Sequence, residues 1–207
     1  MNEAYTVGLS LLDFVPNLAF LVGAYFLVRL VLLRSSPFSK ITMIAGSSLV
    51  FLGGTLKALW KLLCTIGGGD VWLLSELQFV LLAPGFLLML VSVFLVARQE
   101  RGRWEARLIG MAPWKIPLLA TMTLCSLGVQ GILSYMAFRR KAHLAAAMYI
   151  VAVLCMLGMA GMAGGEQSVG WQWVEEGINS VGQIAFALGS WLLYSRFRAD
   201  EGEGRAA

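Results

Sequence analysis

Six apolar stretches, at about 7–33, 41–66, 71–97, 117–138, 142–163 and 170–195, fill the chain with only short polar breaks between them. Each is long enough for a helical membrane span, which takes about 20 residues. In lipid such a stretch must be helical, because a helix satisfies its own backbone hydrogen bonds. Pro16 and Pro84 fall inside stretches and predict kinks, whereas Pro37, Pro113 and Pro117 mark boundaries. Trp72, Trp114, Trp171 and Trp173 stand at stretch ends, where an interfacial aromatic belt belongs. The pattern predicts an all-α fold, a polytopic integral membrane bundle of six transmembrane helices. It forms a single domain over residues 1–198, followed by a flexible tail, 199–207.

Composition agrees: 58% of residues are hydrophobic and only 14% are charged, against about 25% charged in a soluble domain. The N-terminal stretch lacks a basic start and runs unbroken to Leu33, so it predicts a first span in place of a cleaved signal. The net charge of +4 is too small to suggest nucleic acid and fits basic loops among lipid headgroups. Short loops point to a bacterial cytoplasmic (inner) membrane.

Lys and Arg in short loops set orientation. Six simple crossings put Arg34, Lys40, Arg98, Arg101, Arg103, Arg107 and Lys115 on one side. The other side receives Arg139, Arg140, Lys141, Arg196, Arg198 and Arg205. Seven against six is almost no bias. A seventh crossing, or a re-entrant hairpin over 108–138, would gather every basic loop on one side. Residues 41–97 and 139–198 also share an order: basic loop, span, Gly-Gly-acidic turn with Trp, span, Arg. That order suggests a three-helix repeat with halves at 5–98 and 117–198, a common way to build transporters. Parallel repeats would require the chain between them to cross the membrane; six crossings alone would make them inverted.

Charges inside apolar stretches are costly and mark function or helix locking. Lys57 and Lys61 are four apart and share a helix face. Lys61 and Glu76 lie at similar depth on either side of the GGGD turn and form a natural ion pair; Asp13 is a candidate partner for Lys57. Asp13, Asn17, Lys57, Lys61, Glu76 and Gln78 could line one polar cavity, with Trp60 and Tyr25 as apolar walls. A second stripe, Glu175, Asn179 and Gln183 bordered by Glu176, lies on the last stretch. Inverted halves would open it from the opposite face; parallel halves would bring it to the same cavity.

The residues argue against an enzyme, and no catalytic residue is assigned. The sole histidine, His143, sits in the basic FRRKAH loop, and Cys64, Cys125 and Cys155 are scattered, so neither a metal site nor a cofactor is expected. The expected function is binding, with possible transport, of a small polar or anionic solute. The alternatives are a sensor or interaction subunit and a lipid-active enzyme. Gly161 and Gly165 form a GxxxG motif that could dock a second copy or a partner membrane protein.

Overall fold

The computed structural model describes residues 7–34, 36–67, 71–99, 115–162 and 169–206. The described chain is all helical: α1 (Val7–Leu12), α2 (Phe14–Arg34), α3 (Pro37–Thr65), α4 (Trp72–Gln99), α5 (Lys115–Arg139), α6 (His143–Met162) and α7 (Val169–Ala206). α1 and α2 are two parts of one rod. Proline at 16 has no N–H for the Leu12 carbonyl, and its ring crowds that carbonyl, so the helix breaks at Asp13. Pro84 interrupts nothing on this scale, and α4 continues through it. The first four apolar segments, Val7–Leu33, Pro37–Thr65, Trp72–Ala97 and Thr121–Arg139, are each long and apolar enough to cross a membrane. The chain is an integral membrane protein with an all-α bundle architecture.

The rods form a closed ring. α2, α3, α4, α5, α6 and α7 each pack on the next, and α7 returns to α2. The tightest hairpins are α3–α4 and α6–α7. Directions follow from which residues meet. Phe20 stacks on Phe186, with centroids 5.7 Å apart, and Phe26 meets Tyr194 at 5.8 Å, so α2 and α7 run parallel. Leu90 lies beside Gly128, and Val93 and Val96 share an apolar layer with Leu133 and Met136, so α4 and α5 are parallel too. The remaining neighbours are antiparallel hairpins. Each half therefore repeats one course, α2–α3–α4 and then α5–α6–α7, in the same direction.

Parallel halves place the Gln99 and Lys115 ends of α4 and α5 at opposite ends of the bundle. Residues 100–114 lie outside the described residues, as do 108–114 of the expected hairpin. α5 itself is unbroken from Lys115 to Arg139, which leaves no re-entrant turn within it. The basic connections at Lys40, Arg139–Lys141, Arg196 and Arg198 now share one end of the bundle. The α3–α4 turn and the starts of α2 and α7 share the other.

Close approach of α3 and α4 depends on Gly46 and Gly85, whose backbones touch. A Cβ on Gly46 would lie 2.7 Å from the Gly85 carbonyl oxygen and 2.8 Å from the Met89 nitrogen. Backbone atoms cannot swing aside, so Gly46→Ala is expected to lower stability by about 1–3 kcal/mol. Thermal unfolding in detergent checks this against Gly158→Ala. Gly158 is exposed with nothing within 4 Å of its Cβ position, and that variant should melt like wild type. Near the basic end, Ser39 Oγ donates to the Ser92 carbonyl at 3.1 Å, and Ser92 Oγ donates to the Ser39 carbonyl at 2.7 Å. This reciprocal clasp lets two hydroxyls sit buried without loss.

Over the expected tail, α7 continues as helix to Ala206. Asp200 holds it, meeting Arg140 at 2.6 Å and Arg196 at 3.5 Å. The Arg140 guanidinium also stacks 3.6 Å over the Phe197 ring. These contacts tie the α5–α6 turn to the end of α7.

Candidate functional site

The ring encloses a cavity of about 540 Å³. Small-molecule sites usually fall within about 300–1,000 Å³. Its polar half lies toward the Val7 and Val169 end, where Asp13, Asn17, Lys57, Gln78, Glu175, Glu176, Asn179 and Gln183 reach it. Its deeper half is lined by Phe20, Phe86, Met89, Val129 and Phe186, with Ser126 and Gln130 as polar points on α5. From Glu176 to Phe186 the helix rises roughly 15 Å, so the cavity is elongated and chemically graded along its length. Toward the basic end, Leu27, Leu30, Val31, Met43, Val93, Val96, Leu133 and Met136 fill the interior, each nearly or fully buried.

At the polar end lies a buried three-charge cluster. The Lys61 ammonium is 2.7 Å from Asp13 Oδ2 and 2.6 Å from Glu176 Oε1, with all three side chains no more than 8% exposed. Three separate rods supply it: Asp13 sits at the α1–α2 break, Lys61 on α3 and Glu176 on α7. Backbone anchoring holds the lysine. Thr65 Oγ1 and Ser10 Oγ both donate to the Lys61 carbonyl, at 2.7 and 3.3 Å, and the two hydroxyls meet at 2.8 Å. Asn17 Nδ2 donates to the Asp13 carbonyl at 3.2 Å, bracing the break. Its side chain also fills the space left by Gly54, where a Cβ would collide with it. Lys57, one turn deeper than Lys61, remains half-buried on the cavity wall, and its charge acts on Glu176.

The sequence paired Lys61 with Glu76 and Lys57 with Asp13; the structure sets Lys61 between Asp13 and Glu176. Both polar sets, from the first three rods and from α7, meet in the one cavity because the halves are parallel. Four of the expected residues do not line it: Lys61, held in the buried cluster, and Glu76, Trp60 and Tyr25. Glu76 and Trp60 are half-buried outside its wall. Tyr25 is 52% exposed on the outer face of α2, where Arg29 donates to its hydroxyl at 2.8 Å. Gly165, of the docking motif with Gly161, lies outside the described residues.

No protein-family model, curated protein or solved structure matches this chain. The sequence reading missed Ser126 and Gln130. Gln130 is 8% exposed, donates through Nε2 to Ser126 Oγ at 3.3 Å, and leaves Oε1 buried without a partner. Their signal was a polar pair four residues apart in the middle of an apolar span, which places both on one face. Among the described residues, no group of three or more His, Cys, Asp or Glu could hold a metal ion.

Proposed function

We propose that this protein binds a small amphipathic solute within the bundle, with a cationic head among the acidic residues and an apolar body against the phenylalanines and methionines. The observation that carries this reading is the cavity itself, polar at one end, apolar at the other and formed by both halves. Charge balance sets the sign of the head. Two lysines stand against Asp13, Glu175 and Glu176, one negative charge in surplus when all are ionised. The positive charge of Lys61 is already met by two carboxylates, which weakens the case for the anionic solute that the lysines alone suggested.

Positions at the junction of parallel halves suit a carrier, since rocking one half against the other would expose such a site at alternate faces. The basic end is assigned to the cytoplasm by the distribution of Lys and Arg, and the charged half of the cavity then faces away from it. The apolar layer of Leu27, Leu30, Met43, Val93, Leu133 and Met136 would form the inner seal.

Native mass spectrometry of the protein purified in mild detergent tests the reading. A bound small molecule is expected in the wild type. Glu175→Gln removes a charged contact from the wall without touching the Lys61 cluster, and it should weaken retention by about 10–100-fold, the equivalent of a hydrogen bond to a charged group. An empty wild-type protein, or a ligand held equally well by Glu175→Gln and Lys57→Met, would sink the proposal.

A further inference from the structure

Asp13 and Glu176 come from different rods, yet both carboxyl groups sit on one ammonium and lie within hydrogen-bonding reach of each other. Asp13 Oδ1 is buried with no hydrogen-bond donor on it. Ionised carboxylate oxygens only accept, so two of them in contact leave both sites unsatisfied. A proton on either changes the contact into an O–H···O bond, satisfies the bare oxygen and brings the cluster from one negative charge to neutrality. In an apolar bundle that neutral state avoids the cost of a buried, uncompensated charge.

We propose that Asp13 and Glu176 together hold one exchangeable proton, and that a cationic solute in the cavity releases it. The charged groups facing the pair are Lys61 and Lys57 on α3 and Glu175 beside Glu176 on α7; Asn17, Ser10 and Thr65 are neutral. With the proton in place, Lys61 balances the one remaining carboxylate, and Lys57 balances Glu175. One cation entering adds one positive charge, and one proton leaving restores the balance. The proton passes from the carboxyl to solvent water, and no bond other than O–H is broken. Binding thus becomes linked to pH: a proton and a cation compete for the same surplus charge. In a carrier, the same linkage is exchange of a proton for a cation. The solute half of this proposal rests on the reading of the cavity above; the shared proton does not.

Infrared spectroscopy of the purified protein tests it, using the carbonyl stretch of un-ionised carboxylic acids and its shift in heavy water. The wild type near neutral pH should show a band equal to one such group per chain, lost as pH rises. Asp13→Asn and Glu176→Gln should each abolish the band, because either leaves a single carboxylate paired with Lys61. Asp200→Asn, at the far end of the bundle, should keep it. Tetraphenylphosphonium, a hydrophobic cation, should remove the wild-type band and release one proton per cation bound. Absence of the band in the wild type at every pH where the protein is folded would overturn the shared proton without use of any variant. A band that persists when tetraphenylphosphonium is bound, or when it fails to bind, would overturn the exchange. A solute retained in native mass spectra would then still leave the cavity reading standing.

Discussion

Replacing Lys61 with methionine is expected to lower stability by about 3–5 kcal/mol, the usual loss when one member of a buried ion pair is removed. The reason is specific to the site. Asp13 and Glu176 stay behind with no cation at contact distance, and both side chains are at most 5% exposed. Methionine fills nearly the same volume, so little of the loss comes from a cavity. The hydrogen bonds from Ser10 and Thr65 reach the backbone carbonyl of residue 61 and survive the change. Uptake of protons by the two carboxyls offsets part of the cost, and the loss should therefore shrink in acid. The triple variant Lys61→Met, Asp13→Asn, Glu176→Gln should recover much of the stability, since neutral amides can bond to each other. Thermal unfolding in detergent at two pH values measures all three effects. A single variant as stable as wild type would mean that the cluster does not hold the rods together.

How much of this was legible beforehand depended on distance along the chain. The helices were visible as apolar stretches because lipid leaves a backbone no other option. The break at Asp13 was visible as Pro16. Lys57 and Lys61 were visible as charges where none belonged, and Glu175, Asn179 and Gln183 as a stripe at helical spacing. Glu176 was not visible as a partner of Lys61, because it is 115 positions away and is brought close only by ring closure between α2 and α7. Glu76 looked the better partner since a short turn guaranteed that its helix would be near. That argument fixes neighbouring helices but not the rotation of each about its axis. Gly46 and Gly85 bring two backbones into contact, whereas Gly158, in the glycine-rich fifth stretch, touches nothing. Spacing within one helix cannot show which face meets a partner.

Labelling with a membrane-impermeant maleimide should place Ser36, His143 and Arg198 on one face and Val71 on the other, each tested as a single cysteine in a cysteine-free chain. The expected outcome is all or none at each position, and it separates two architectures that share the same helices. If α5 ran antiparallel to α4, His143 and Arg198 would label together with Val71, opposite Ser36. In the structure α4 and α5 are parallel, as Leu90 beside Gly128 and Val93 and Val96 in one layer with Leu133 and Met136 require together, so the α2–α3 turn and the α5–α6 turn lie at the same end. The near-equal split of basic residues was the sequence's own sign of this. Seven against six is a poor balance for a protein oriented by Lys and Arg, and parallel halves remove the conflict. The result also bears on the cavity. Only parallel halves bring the amino-terminal ends of α2 and α7 together, and only then can Asp13 and Glu176 share Lys61. Labelling of His143 from the face that exposes Val71 would therefore dismantle the charged site along with the topology.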